Sequence, residues 1–259
     1  MIACPNDVGI RDDARSDFPN PEGWSLKKNV ALSWSGGKDC AMALQILQQR
    51  SDVQLSALLT TFTADGEVTM HGVPRSLIQQ QAAALDLPLV EHTIPNRAGN
   101  DVYEASLLHT LNNLKSSGTD CVAFGDLFLQ DIRQYRESVI QRASMQCMFP
   151  LWQRDTADLA QRFTADGFRA IVCCTDNETL PSEFCGRKFD RGFLSDLPES
   201  VDPCGENGEF HTFVFDGPVF SSRIPFHTGC IDRGPRFTTC RITETEVSTT
   251  TPEFHSLRK

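Results

Sequence analysis

Apolar residues change their spacing along the chain, and each change marks an element. Val30-Ala31-Leu32-Ser33-Trp34 is a nearly continuous apolar run ending at two glycines, as expected of a buried parallel strand. From Asp39 to Arg50 the spacing becomes helical. Ala43, Leu44 and Leu47 share one face, and no Gly or Pro interrupts them. Leu55–Thr61 reads as a second strand, Ser76–Ala84 as a helix with a glutamine-rich outer side, and Val90–Ile94 as a third strand. Tyr103–Lys115 carries Leu107, Leu108, Leu111 and Leu114 at helical spacing, and Gly118-Thr119-Asp120 then turns into the strand Cys121–Phe124. Asp131–Ser144 is again helical, and the run Cys147–Trp152 closes the unit. Strands alternating with helices predict an α/β fold, a Rossmann-like doubly wound parallel sheet. Right-handed crossovers would bring the loops at 35–39, 61–73 and 125–133 to one edge, at the carboxyl ends of the strands, where such sheets bind ligands.

A smaller α/β unit is expected to follow. Thr156–Thr164 reads as a helix, Ala170–Thr175 as a strand, Leu180–Phe184 as a helical turn, and His211–Phe215 as a strand after a glycine-rich turn. Residues 1–26 are polar and broken by Pro5, Pro19 and Pro21, which suggests a weakly ordered extension. From Thr238 onward Thr, Ser and Glu dominate without clear periodicity, which suggests a loose tail. The expected division is therefore 1–26, 27–152, 153–237 and 238–259.

Composition narrows the chemistry. The 259 residues are 40% hydrophobic and carry a formal charge of −10. That balance disfavours wholesale binding to a nucleic-acid backbone, which needs clustered Lys and Arg. Ten cysteines show no C-x-x-C pair and no zinc-finger spacing. Several, such as Cys173 and Cys174, sit in apolar runs, so reduced buried thiols are expected. The N-terminus lacks the apolar core of a secretion signal, and no stretch of 18 apolar residues occurs. A soluble, cytoplasmic protein without membrane contact is the expectation.

The loop Ser35-Gly36-Gly37-Lys38-Asp39 lies between the first strand and the first helix. Two glycines let the backbone turn sharply and approach a ligand without an intervening Cβ. The helix start offers unpaired N–H groups and a positive dipole end to an anion. Ser35 adds a hydroxyl and Lys38 a full charge. The spacing differs from the Walker pattern, and no Ser or Thr follows the lysine. A bare Gly-Gly pair is equally at home in a structural turn, but the five residues in this setting favour nucleotide binding.

The string Ser35-Gly36-Gly37-Lys38-Asp39-Cys40 resembles the S-G-G-K-D-S loop of the PP-loop ATP pyrophosphatases, a superfamily that includes GMP, asparagine and NAD synthetases and tRNA thiolation enzymes. Cys40 stands where that family has Ser, and a thiol is the weaker donor. Further on, Phe149-Pro150-Leu151-Trp152, the stretch Asp202-Pro203-Cys204-Gly205-Glu206-Asn207-Gly208-Glu209-Phe210-His211-Thr212, and Asp216-Gly217-Pro218-Val219-Phe220 look like the diphthine–ammonia ligase family. His71-Gly72-Val73-Pro74 and Gly125-Asp126-Leu127-Phe128 match its bacterial members. The resemblance spans about Val30–Phe226. It implies cleavage of ATP between the α and β phosphates, adenylation of a carboxylate, and transfer of ammonia to form an amide.

From the resemblance, ATP is expected on Ser33, Ser35, Gly36, Gly37, Lys38, Asp39, Thr61 and Gly125, with Thr61 meeting adenine through its backbone. His71, Asp126, Asp131, Arg133, Asn207, His211 and Thr212 are expected to hold the acceptor, and Lys38, Glu206 and Glu209 to act in catalysis. Mg²⁺ is expected on Asp39 and Glu206, since magnesium takes one or two carboxylates plus phosphate oxygens and water. From residue chemistry alone, the turn holding Glu206 and Glu209 serves equally well as a solvated glycine turn. Arg136 reads as readily as part of a solvated helix as of a site. The expected partners are a small-molecule or protein-borne carboxylate and ammonia, with a homodimer left open and no glutaminase segment in the chain. Two rivals remain at this point. One is a sulfur transferase acting on a nucleotide or tRNA through Cys40 or Cys204. The other is a non-catalytic adenine-nucleotide-binding protein.

Overall fold

The structure, a computed structural model, describes residues 27–69, 71–94 and 99–245. The N-terminal extension and the chain after Thr245 lie outside the described residues. The first unit runs β1 (Lys28–Ser33), α1 (Lys38–Gln48), β2 (Val53–Thr63), α2 (Arg75–Leu85), β3 (Leu89–Ile94), α3 (Asn100–Ser116), β4 (Cys121–Ala123), α4 (Gln130–Arg142) and β5 (Gln146–Met148). Its strands form one wholly parallel sheet in the order β3-β2-β1-β4-β5. The strand order reverses direction between β1 and β4. Ligands of open α/β sheets bind at such a switch point, which here lies between the loops that leave β1 and β4.

The alternation of side chains along the strands explains why both faces carry helices. Val30 and Leu32 of β1, with Cys121 and Ala123 of β4, belong to one apolar cluster that takes in Leu44 and Leu47 of α1 and Leu77 and Ile78 of α2. Ala31 and Val122, one residue out of phase, belong to the other, with Leu111 and Leu114 of α3 and Val139 and Ile140 of α4. The doubly wound sheet expected from the spacing is the one observed.

The second unit contains α5 (Thr156–Ala165), β6 (Arg169–Asp176), a 3-10 turn at Ser182–Phe184, α6 (Arg191–Asp196), β7 (Phe210–Asp216), β8 (Phe226–Arg233) and β9 (Phe237–Glu244). Its sheet is antiparallel, in the order β7-β6-β9-β8. The loose tail expected from Thr238 is corrected here through Glu244. β9 lies inside the sheet, with Thr238, Cys240 and Ile242 buried on alternate positions. Its threonines read as polar in composition, yet β-branched side chains fit a half-buried pleat.

The two units share a core, because the cluster that fills one face of the parallel sheet continues into Phe163, Phe168, Val172, Phe210 and Phe213. Gln81 of α2 is fully buried at this seam. Its Oε1 accepts from Trp34 Nε1 at 2.8 Å, and its Nε2 donates to Val214 O at 2.6 Å and to Gly36 O at 3.2 Å. One amide therefore links the loop that follows β1, α2 and β7. Val214 N also donates to Gly36 O, at 2.8 Å. β7 is thus anchored directly on the glycine loop.

Candidate functional site

Gly36 adopts φ +80°, a left-handed conformation that only glycine takes without strain. A Cβ there would stand 2.7 Å from Ile78 Cδ1 and 2.8 Å from Gln81 Oε1. Gly37 caps the N-terminus of α1, and Lys38 N, the first helical amide, donates to Thr212 Oγ1 at 3.0 Å. Gly125, after β4, lies so close to α1 that a Cβ on it would be 3.0 Å from Asp39 C and 3.1 Å from Cys40 N. The loops after β1 and β4 are therefore pressed together at the switch point.

Lys38 does not reach into solvent. It is 3% exposed, and its ammonium pairs with Asp39 Oδ2 at 2.8 Å and donates to Cys204 O. Burial alone would lower its pKa, but the Asp39 and Glu206 carboxylates outweigh that and raise it, so the charge is kept. Burial raises the Asp39 pKa, with Lys38 opposing and Asp202 and Asp126 adding to the rise. Cys40 Sγ donates to Gly37 O at 3.0 Å and lies 3.7 Å from Ser35 Oγ. Burial pushes its pKa up to about 11, so it remains a thiol near neutrality. Cys204 Sγ donates to Thr156 O at 3.3 Å, and burial likewise raises its pKa.

The acidic turn folds against this loop. Gly205 N donates to Asp202 O at 2.8 Å, and Glu206 N to Asp202 Oδ2 at 2.9 Å. Glu206 Oε1 then accepts from Leu127 N at 2.7 Å and Phe128 N at 3.3 Å, latching the turn to the loop between β4 and α4. Burial pushes the Glu206 pKa up to about 7, with the Asp39 and Asp126 charges adding to it against the Leu127 hydrogen bond. Glu209 points into its own loop. It is 3% exposed, and its Oε1 accepts from Asp202 N at 3.0 Å and Asn207 Nδ2 at 2.9 Å.

Loop and turn enclose a cavity of about 240 Å³. Of the residues singled out in the sequence, Ser33, Ser35, Gly37, Lys38, Asp39, His71, Gly125, Asp126, Glu206, His211 and Thr212 line it. Gly36 does not; it is the pivot behind the loop. Glu209 and Asn207 brace the turn rather than face the cavity. Thr61 lies off it, with Oγ1 3.2 Å from His92 Nδ1. Asp131 is exposed at the start of α4. Arg133 pairs with Glu137 at 2.8 Å and lies over the rings of Phe149 and Trp152, 4.8 and 4.6 Å from their centroids.

Arg136 lines the cavity instead. Its Nε is 2.7 Å from Asp126 Oδ2, and its guanidinium lies 4.5 Å over the Phe124 ring. A sequence signal for it existed. Arg136 stands three and four residues before the buried Val139 and Ile140, on the face α4 turns toward the sheet. Phe124 and Phe210, which also line the cavity, carried no signal beyond their place in apolar runs.

The His71 and His211 rings lie against each other with centroids 4.5 Å apart, tilted by 42°. Burial lowers the His71 pKa to about 4, and Lys38 adds to the effect. Burial lowers that of His211 to about 3, with His71 and Lys38 adding. Both rings are neutral at pH 7. His71 Nδ1 lies 3.1 Å from Thr69 O and so carries the proton, which leaves Nε2 as an acceptor beside Gly37.

No helix among the described residues is long and apolar enough to cross a membrane. Residues 27–147 match the family model described as the diphthamide synthase N-terminal domain, and residues 155–237 the model described as the diphthamide synthase C-terminal domain. The chain is 28% identical over 221 residues to diphthine–ammonia ligase of Bos taurus, covering 75% of this chain and 81% of that protein. The Homo sapiens protein of the same name matches to the same extent. The Danio rerio protein is 29% identical over 214 residues, 73% of this chain and 83% of that relative. With both halves of the fold matched in order, and the glycine loop and acidic turn facing one another across the seam between them, the chain belongs to the diphthamide synthase family.

Proposed function

We propose that the chain is an ATP-dependent ligase that forms a carbon–nitrogen bond, adenylating a carboxylate and transferring ammonia to it with release of AMP and pyrophosphate. The observation that carries this reading is the meeting, in one cavity, of an anion-binding glycine loop and a carboxylate, Glu206, poised near neutrality. The names of the relatives agree with it.

The phosphates of ATP lie against the backbone of Ser35–Asp39, where the α1 N-terminus and the Lys38 charge favour the departing pyrophosphate. An acceptor carboxylate oxygen attacks the α-phosphorus, the bond to the bridging oxygen breaks, and pyrophosphate leaves. Ammonia then attacks the acyl carbon. The C–O bond to AMP breaks, and the amide nitrogen gives up a proton. Glu206, half ionised near pH 7, is the base placed to take it. The neutral Nε2 of His71 is a second acceptor suited to an ammonia N–H.

Arg136 is the cation we assign to the acceptor. Its Nε faces Asp126, which leaves the two terminal nitrogens to fork onto a carboxylate. Asp39, Asp126 and Glu206 crowd one another, and the pKa values of Asp39 and Glu206 are raised in part by that repulsion. With Glu206 acting as the base, Asp39 is the carboxylate that would hold Mg²⁺ together with phosphate oxygens and water, where the ion would neutralise charge on the phosphates. The two candidate sulfur carriers, Cys40 and Cys204, are buried and held as thiols, which tells against a thiolate nucleophile. Free cysteines throughout the described residues suit a reducing cytoplasm.

The test is an assay of pyrophosphate and AMP release with ATP, Mg²⁺, ammonium and a pool of free and protein-borne carboxylates. Release that depends on the carboxylate, with an acceptor KM raised in Arg136→Ala, is expected. Absence of release from every member of the pool would overturn the reading.

A further inference from the structure

A second cavity, of about 700 Å³, is lined by α5, β6, the segment Lys188–Gly192 and Phe215 near the end of β7. The two cavities share no lining residue, although they are close neighbours: the Phe189 ring of the second lies 6.0 Å from Lys38 Nζ of the first. Its floor is apolar, made by the buried rings of Phe168, Phe189 and Phe215. Its rim carries Arg169, Lys188, Arg191 and Arg223 against the lone acid Asp190.

That acid is already engaged, since Asp190 Oδ1 accepts from Phe193 N at 2.9 Å to cap α6. The side chains of Lys188 and Arg191, both exposed, have no hydrogen-bond or ion-pair partner among the described residues. Arg169 reaches Asp216 only at 3.9 Å, and Arg223 lies 5.1 Å over the Phe215 ring. Four cations against one acid make this rim locally positive in a chain of net charge −10. The rim is also held in place. Lys188 bridges to Ile171 of β6, and Phe189 N donates to Ala170 O at 2.9 Å. Volume, apolar floor and a positively charged rim together suit a small-molecule site.

We propose that this cavity is a second ligand site, taking a flat apolar ring that bears a phosphate or carboxylate group. The ring lies on Phe168, Phe189 and Phe215, and the anionic group lies between Lys188 and Arg191.

The test is calorimetric titration of the full chain with 2-naphthyl phosphate while α,β-methylene-ATP saturates the first cavity. Saturable 1:1 binding that weakens with salt is expected. The double variant Lys188→Ala/Arg191→Ala should bind about tenfold more weakly or worse, the worth of one charge-assisted hydrogen bond, with its α,β-methylene-ATP affinity unchanged. Inorganic phosphate should bind more weakly than 2-naphthyl phosphate, because it makes no use of the floor. Absence of saturable binding, equal affinity in the double variant and its parent, or equal affinity for inorganic phosphate would each overturn the proposal. The Lys188 and Arg191 dependence separates this outcome from any failure of the ATP reading, because neither residue lines the first cavity.

Discussion

The glycine loop at 35–39 and the acidic turn at 202–209 face each other across one cavity, yet they are built by opposite means. The loop is shaped by local sterics, with a left-handed glycine, a helix start and a strand end, all within a few consecutive residues. The turn takes its chemistry from what surrounds it. Glu206 is an ordinary carboxylate in sequence, and it becomes a near-neutral acid only because burial, Asp39 and Asp126 outweigh the amide of Leu127. Two glutamates three residues apart illustrate the same point. Glu206 faces the cavity, whereas Glu209 is turned inward to hold Asp202 and Asn207. In the proposed reaction the loop would supply binding by geometry, and the turn reactivity by environment.

Three substitutions separate these contributions. The largest effect is expected from Glu206→Gln, which keeps the shape and removes the base. Turnover should fall about 10²–10⁴-fold while ATP affinity, read by calorimetry, changes little. The same variant carries a stability signature. Because the folded pKa of Glu206 is raised from 4.5 to about 7, its contribution is fully present below about pH 4.5 and lost as pH rises through 7. Urea unfolding at pH 5 and pH 8 should show the parent losing stability relative to Glu206→Gln across that interval. Matching slopes would mean that Glu206 is not perturbed.

Gly36→Ala attacks the loop instead. Left-handed strain and the close contacts to Ile78 and Gln81 should cost about 1–3 kcal/mol, with ATP binding weakened up to about 100-fold. Urea midpoints together with calorimetry would check it, and a fully tolerated alanine would contradict the steric account. The smallest effect is expected from Cys40→Ser. The thiol already donates to Gly37 O, so a hydroxyl should do the same and shift ATP affinity by no more than about 1 kcal/mol. A larger gain would show that the thiol weakens the loop.

Much of this was legible from residue order because it depends on neighbours in the chain. Alternating strand and helix periods announced the parallel sheet, and Ser35–Asp39 marked the glycine loop proposed to cradle an anion, since backbone sterics and helix polarity act within a few residues. The sheet of β8 and β9 was not legible, because its threonine-rich strand is stabilised by pairing with β6 and by a face buried from a distance. Spacing put Arg136 on the inward face of α4, but it could not show what Arg133 and Arg136 each meet. Three residues apart on α4, one lies over Phe149 and Trp152 and the other enters the cavity beside Asp126. Residue order by itself determined where an anion could be cradled. The tertiary structure decided which charges surround it and in which protonation state, because desolvation and charge coupling are summed over groups that meet only when the two units pack together.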